Sequence, residues 1–208
     1  MSSLKGKRVG LLGGSFNPAH EGHLHISKLA LERLRLDGVW WLVSPQNPLK
    51  STSGMASLPS RLKAAQVMTA AEPDILVSDM ELDLGTRYSA DTVAALKQRY
   101  PDTRFVWIMG ADLLKEVHHW KKWRSLFRCI PIAIFARPPY PLRALSSRAA
   151  RRFAGAQINV TRAGALADMR SPAWVYFRTR RHWQSATNIR AQQNGIVPQH
   201  TLKKRNRP

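Results

Sequence analysis

The sequence is poor in cysteine, in acidic side chains and in long apolar runs. Its single cysteine, Cys129, excludes an intramolecular disulfide and a cysteine-based zinc cluster. No apolar run reaches the roughly 20 residues that a membrane-spanning helix needs. The N-terminal residues lack the apolar core of a secretory signal peptide. These absences lead us to expect a cytoplasmic protein that does not associate with membranes.

Acidic residues are scarce relative to basic ones, and the imbalance is uneven along the chain. Lys and Arg together number 33 against 13 Asp and Glu, which gives a formal net charge of +20. Residues 137–208 contain 15 basic residues and a single acidic one, Asp168. Such a charge attracts polyanions, among them nucleoside triphosphates and RNA. Most individual arginines are nevertheless expected to lie on solvated faces.

Apolar strand patterns alternate with helical patterns along most of the chain. This alternation predicts an α/β fold of the Rossmann-like, doubly wound kind, with a mostly parallel sheet and helices on both faces. We expect one domain over residues 1–198 and a basic, disordered tail over 199–208. The predicted strands lie near 8–12, 39–43, 74–77, 104–109, 130–136 and 173–177. The predicted helices lie near 21–36, 58–71, 89–100, 111–127, 142–154 and 186–193.

A glycine pair and two histidines follow the first predicted strand. Glycines allow a sharp turn and a close approach of the backbone to a ligand. The free N–H groups at the start of a helix favour a phosphate. His20 and His23 are three residues apart and so share one face of that first turn. The segment therefore predicts a nucleotide phosphate site, formed with Gly13, Gly14, Ser15, Phe16 and Gly22.

The run Gly-Gly-Ser-Phe-Asn-Pro-Ala-His-Glu-Gly-His, at residues 13–23, resembles a known family signature. The nucleotidyltransferase superfamily carries His/Thr-x-x-His after its first strand. The form found here is similar to that of the nicotinate-nucleotide adenylyltransferase branch. It lacks the Gly-Lys-Ser/Thr of a Walker loop and the three glycines of a dinucleotide fingerprint. The resemblance implies that His20 and His23 are catalytic.

A second motif, Ser-Ala-Thr-Asn-Ile-Arg at residues 185–190, precedes the last predicted helix. Ser and Thr cap helix starts, and an arginine one turn along can bind the same anion. The motif resembles the family's Ile-Ser-Ser-Thr-x-Ile-Arg, with Gln184 and Ala186 as departures. The resemblance implies ATP contacts from Ser185, Thr187 and Ile189 and a catalytic role for Arg190.

Residues between the two motifs complete the expected nucleotide sites. Gly110 and Asp112, at a strand-to-helix junction, resemble the family's Gly-Ala-Asp motif and are expected to bind ATP. Resemblance also implies a mononucleotide site formed by Asn47, Lys50, Tyr88, Ser89 and Trp120.

Two of these residues have alternative interpretations. Trp120 matches the family position that stacks on a pyridine ring, whereas the cluster His-His-Trp-Lys-Lys-Trp at 118–123 is also compatible with RNA binding. Trp123 is interpreted as structural. Ser89 is either a pocket hydroxyl or the cap of the next helix, and both roles are compatible.

The resemblance implies adenylyl transfer from ATP to nicotinate mononucleotide, with Mg²⁺ bound mainly through the ATP phosphates and no dedicated protein metal site. Nicotinamide-mononucleotide and phosphopantetheine adenylyltransferases are the alternatives. The phosphopantetheine branch usually has Phe-Asp-Pro and a threonine where this chain has Asn17 and His20. An RNA-binding module is the alternative of a different class, but it predicts aromatic-rich binding motifs that the sequence lacks. Nucleic acid is expected to bind only non-specifically, if at all, and the oligomeric state stays open.

Overall fold

A computed structural model describes residues 4–45, 54–136 and 143–178 of the chain. Its strands are β1 Arg8–Gly14, β2 Gly38–Val43, β3 Ile75–Ser78, β4 Arg104–Gly110, β5 Ile132–Ala136 and β6 Trp174–Arg178. Its α-helices are α1 Glu21–Leu34, α2 Leu58–Met68, α3 Ser89–Arg99, α4 Ala111–Glu116, α5 Trp123–Cys129 and α6 Arg148–Arg152. Short 3₁₀ helices cover Val117–His119, Arg143–Ser146, Ala154–Ala156 and Val160–Asp168.

The six strands form one sheet in the order β3-β2-β1-β4-β5-β6. Every neighbouring pair is parallel, as helical crossovers between successive strands require. From β1 the chain proceeds outward to β2 and β3, then returns to the other side of β1 for β4, β5 and β6. The predicted doubly wound α/β fold is therefore confirmed, and the described sheet is entirely parallel.

Successive side chains of β4 point to opposite faces of the sheet and build two separate cores. Phe105, Trp107 and Met109 pack beneath α3, α4, α5 and α6. Val106 and Ile108 pack on the other face, against α1, α2 and the 3₁₀ segment Val160–Asp168. Both faces are buried, which explains why the strands read as nearly continuous apolar runs.

The acidic residue Asp168 connects the first and fourth strands at the start of the sheet. One carboxylate oxygen accepts a hydrogen bond from the Arg8 guanidinium (2.6 Å) and the other accepts one from Arg104 (2.8 Å). Arg8 and Arg104 are paired in the β1–β4 register. The single acidic residue of the basic C-terminal third therefore bridges two parallel strands that carry like charges.

The prediction of one continuous helix over 111–127 is wrong. The structure ends α4 at Glu116, continues as a 3₁₀ turn and leaves Trp120 extended. Lys122 then takes a left-handed conformation (φ 56°) before α5 begins. The predicted helix at 142–154 is likewise divided into short helical pieces. Among the described helices, none combines the length and apolar character needed to cross a bilayer.

The glycine pair does not form the turn that its composition predicts. Gly13 and Gly14 are the last residues of β1 and remain extended within the strand. The left-handed residue of the following turn is Phe16, with φ 46°. A Cβ at position 13 would lie only 2.7 Å from the Trp107 side chain. Gly13 therefore allows the close approach of a neighbouring indole, and Phe16 makes the turn.

Trp41 joins β2 to α1 through a buried hydrogen bond. Its indole N–H donates to the Ser27 hydroxyl at 2.8 Å, and that hydroxyl donates to the His23 carbonyl at 2.9 Å. Trp41 and Ser27 are both fully buried. Removing the hydroxyl would leave the indole N–H unpaired in an apolar environment, which is costly.

We expect Ser27→Ala to lower the free energy of unfolding by about 1–3 kcal/mol, the cost of an unsatisfied buried donor. Urea denaturation followed by tryptophan fluorescence measures this change. The exposed Ser125 provides the control, since Ser125→Ala should change stability by less than about 0.5 kcal/mol. Equal losses in the two variants would contradict the role of this hydrogen bond.

Candidate active site

The carboxyl ends of β1 and β4 lie side by side at the point where strand order reverses. β1 ends at Gly14 and β4 at Gly110, and the two strands are paired in parallel. Open parallel sheets bind ligands in the crevice outside such a junction. The histidine motif that follows β1 and the Gly-Ala-Asp segment at the end of β4 are therefore brought to one edge.

His20 and His23 form the start of α1 and cap it with their own rings. His20 is the N-cap residue, and its Nδ1 accepts a hydrogen bond from the Gly22 N–H at 3.1 Å. The Nδ1 of His23 accepts one from the His20 N–H at 3.2 Å. The two rings are stacked with centroids 3.8 Å apart. This arrangement is a capping box in which both side chains are imidazoles.

These hydrogen bonds determine which nitrogen of each ring carries the hydrogen. A neutral imidazole whose Nδ1 accepts a hydrogen bond carries its hydrogen on Nε2. Both His20 and His23 are then donors through Nε2. The Gly22 N–H, which the sequence offers as a phosphate donor, is bonded to His20 in this structure. The rings themselves therefore supply donors at the start of this helix.

Phe16 fixes the loop between β1 and α1 from below. Its ring is buried, stacked on Trp41 with centroids 4.9 Å apart, and it lies 4.7 Å from the His23 ring. Phe16 therefore packs beneath the candidate phosphate site and supports His23, and its assignment to ATP binding stays a prediction. Ser15 and Gly14 remain at the partly exposed surface of the loop.

The end of β4 carries two further residues that the sequence predicts to bind ATP. Gly110 is buried and occupies the N-cap position of α4, and Asp112 is exposed in the first turn of that helix. Trp107 packs against Gly13, and its indole N–H is buried without a hydrogen-bond partner among the described residues. Gly110 and Asp112 thus lie at the edge that the sequence predicts for them.

The described residues of the predicted mononucleotide site lie where the start of α3 meets the segment before α5. Tyr88 is the N-cap residue of α3 and Ser89 its first helical residue, so Ser89 is not the cap. Lys121 places its ammonium 4.8 Å from the centre of the Tyr88 ring. Lys122 forms an ion pair with Asp91 at 2.7 Å.

These contacts bring Trp120 next to the start of α3, since it directly precedes Lys121 in the chain. Trp120 itself is half-buried against the core. Trp123 packs edge-on against Phe127 and Phe153, with centroid distances of 6.2 and 6.0 Å, in agreement with its structural interpretation.

Two buried charged residues near this edge were not recognised from the sequence. Arg61 on α2 is 2% exposed and Glu81 is 6% exposed. Burial lowers the pKa of Arg61 and raises the pKa of Glu81, the latter opposed by hydrogen bonds from Ser44 and Thr92. A signal for Arg61 exists, because it falls on the apolar face of α2. Glu81 lies in a turn where no periodicity marks burial.

Six predicted site residues lie outside the described part of the chain. They are Asn47 and Lys50 of the mononucleotide set, and Ser185, Thr187, Ile189 and Arg190 of the second motif. Their assignments stay predictions.

Comparisons with known proteins agree with the fold and the motifs. Residues 11–192 match the cytidylyltransferase-like family. A relative from Parvibaculum lavamentivorans is 52% identical over 89% of this chain and 92% of its own length. A relative from Caulobacter is 48% identical over 89% of this chain and 98% of its own. Both carry the name "Probable nicotinate-nucleotide adenylyltransferase".

Solved structures show the same fold at low sequence identity. The Plasmodium falciparum nicotinic acid mononucleotide adenylyltransferase complexed with NaAD has a TM-score of 0.67 and 15% identity. The match covers 91% of this chain and 88% of that one. With a family match over most of the sequence and relatives near 50% identity, the chain belongs to the nicotinate-nucleotide adenylyltransferase family.

Proposed function

We propose that this chain transfers the adenylyl group of ATP to nicotinate mononucleotide. A phosphate oxygen of the mononucleotide attacks the α-phosphorus of ATP. The bond between that phosphorus and the oxygen bridging to the β-phosphate breaks, and pyrophosphate leaves. The products are nicotinate adenine dinucleotide and pyrophosphate, as expected for a step of NAD biosynthesis.

The observation that carries this proposal is the pair of imidazole donors at the start of α1. His20 and His23 stand at the carboxyl end of β1, where a triphosphate would meet a helix N-terminus. Their rings are stacked with centroids 3.8 Å apart, which holds the two side chains against each other. The relatives near 50% identity carry the name of this activity, and the family match spans the same motif.

The proposed mechanism needs alignment and charge stabilisation, and no protein nucleophile. The attacking phosphate is already an anion, so no general base is required to activate it. Donors fixed before the reaction stabilise charge that develops on the transferred phosphoryl group. His20 and His23 are assigned this role. Arg190 is proposed to bind the departing phosphates through its forked guanidinium.

We propose that Mg²⁺ arrives with ATP and is held mainly by phosphate oxygens and water. Among the described residues, no three His, Cys, Asp or Glu side chains converge on a point that could hold a metal. Mg²⁺ keeps several waters and commonly binds through substrate phosphates, which is the basis of this proposal. When bound, it neutralises charge on the triphosphate and on the leaving pyrophosphate.

The acceptor pocket is proposed to include Tyr88, Ser89 and Trp120, and the contacts of Lys121 with Tyr88 and of Lys122 with Asp91 support this grouping. The Trp120 indole offers a face on which a pyridine ring can stack. Asn47 and Lys50 are proposed to complete the pocket. ATP is a cytoplasmic substrate, so we place the reaction in the cytoplasm, with RNA at most a non-specific ligand of the basic surface.

An assay of pyrophosphate release with ATP and each acceptor tests the proposed function. We expect a higher kcat/KM for nicotinate mononucleotide than for nicotinamide mononucleotide, because buried polar groups left unpaired by the wrong substrate are costly. Phosphopantetheine should give no turnover. Equal use of the two mononucleotides would reassign the chain as a dual-specificity enzyme. Turnover of phosphopantetheine alone would overturn the assignment.

We expect His23→Ala to lower kcat by about 10²–10³, the usual cost of losing one fixed donor to transition-state charge. The measurement is steady-state pyrophosphate release, with the melting temperature recorded alongside. The control is His25→Ala, a histidine on the same helix outside the proposed site, which should retain kcat. Near-normal turnover of the folded His23→Ala variant would exclude the proposed role.

We expect Trp120→Ala to raise the KM for nicotinate mononucleotide about tenfold, within the range for losing one aromatic stacking partner. The KM for ATP should change much less. Trp123→Phe is the matched control, and it should lower the melting temperature without a selective change in KM. If the two variants shift KM alike, Trp120 is a structural residue and does not stack on the substrate.

A further inference from the structure

We propose that a buried polar chain, formed by Arg61, Ser44, Glu81 and Thr92, fixes the acceptor side of the site, at the start of α3, relative to the loop between β1 and α1, here called the ATP loop. Arg61, Glu81 and Thr92 are then positioning residues of the reaction. The inference rests on the proposed function, because it concerns where the two nucleotides of that reaction meet.

The polar chain begins at Arg61, whose guanidinium is surrounded by backbone carbonyls. It donates to the carbonyls of Ser15 (2.6 Å), Ser44 (2.8 Å), Pro45 (2.9 Å) and Ala56 (3.0 Å). These carbonyls belong to the ATP loop, the end of β2 and the residues before α2. A planar guanidinium has its donors in fixed directions, so it holds these three segments in one arrangement.

Ser44 lies between Arg61 and Glu81 in this polar chain. The Ser44 carbonyl accepts from Arg61, and hydrogen bonding by the Ser44 side chain opposes the rise that burial causes in the pKa of the Glu81 carboxyl group. Glu81 is almost completely buried. A buried carboxyl group is costly without hydrogen-bond partners, so its position depends on the hydroxyls that face it.

Thr92, fully buried on α3, completes the chain at the acceptor side. Its hydroxyl oxygen lies 3.4 Å from Glu81 Oε1, 2.9 Å from the Thr86 hydroxyl oxygen and 3.3 Å from the Tyr88 carbonyl oxygen. Tyr88 makes no side-chain capping hydrogen bond at the start of α3. The hydroxyl of Thr92 therefore helps to hold the turn that presents Tyr88 and Ser89.

The two ends of the polar chain differ in their other supports. The ATP loop is also anchored by Phe16, buried against Trp41. The start of α3 has no side-chain cap, and its other contacts, the Lys122–Asp91 ion pair and the Lys121 ammonium over the Tyr88 ring, lie at the surface, where such charge contacts contribute little. Replacing a residue of the polar chain should therefore change the KM for the acceptor nucleotide more than the KM for ATP.

The first test replaces the Thr92 hydroxyl without changing the size of the side chain. Thr92→Val should raise the KM for nicotinate mononucleotide about fivefold or more, since a buried partner is left unpaired. The KM for ATP should stay within about twofold, and Thr92→Ser, which keeps the hydroxyl, should restore the mononucleotide KM. The control Thr103→Val removes a buried hydroxyl that donates to the Leu4 carbonyl at 3.0 Å, remote from the chain. It should lower the melting temperature and leave both KM values unchanged.

The second test asks whether Arg61 and Thr92 act as one unit. Arg61→Lys keeps the charge but loses the planar fork, and it should also raise the mononucleotide KM. In the double variant Arg61→Lys/Thr92→Val, kcat/KM for the mononucleotide should fall by less than the product of the two single effects. Glu81→Gln, which keeps one acceptor oxygen, provides the internal probe if Thr92→Val does not fold.

Three results would overturn the inference: an unchanged mononucleotide KM in folded Thr92→Val, equal shifts in both KM values, or independent effects in the double variant. Each can be separated from failure of the proposed function. The wild-type enzyme is assayed first, and absence of turnover with nicotinate mononucleotide there would count against the function itself. Turnover in the wild type with no selective effect in the variants would count only against the polar chain.

Discussion

The shape of the ATP loop depends on one aromatic side chain buried beneath it. Phe16 holds a left-handed backbone conformation, which is costly for a residue with a side chain. It is retained because the ring is buried on Trp41. Trp41 in turn binds Ser27 of α1, and Ser27 binds the carbonyl of His23. The turn, the second strand and α1 are therefore held together by one group of contacts.

The sheet and its edge could be predicted because their causes are local in sequence. Apolar runs, their alternation with helical patterns and the early histidine motif indicate strands, crossovers and a ligand edge without any tertiary information. The break within 111–127 could not be predicted in the same way, because no proline or glycine marks it. It accompanies docking of the segment against α3, where Lys122 pairs with Asp91, a contact between residues 31 positions apart.

The candidate site was predicted where a motif supplies its residues in one stretch, as at His20 and His23. It was not predicted where a residue acts through distant carbonyls, as Arg61 does. A charged side chain on the apolar face of a helix indicates that buried hydrogen-bond partners must exist for it, but the sequence alone does not identify those partners. For Glu81, burial arises only once Ser44 and Thr92 are brought together by the fold. The mistaken turn at the glycine pair has the same origin, since Trp107 comes from a strand nearly a hundred positions later.

That separation has a consequence for how the enzyme is made. Arg8 of β1 lies opposite Arg104 of β4 in the strand register. The crevice between these strands therefore forms only when two segments separated by about half the length of the chain come together. On the ribosome the histidine motif emerges early, but β4 follows only after β2, β3 and their helices have been synthesised. Pairing across so long a stretch of chain forms slowly, because loop closure must be completed before any contact compensates for it. The nascent protein therefore carries its histidine motif through much of translation before the crevice beside that motif exists.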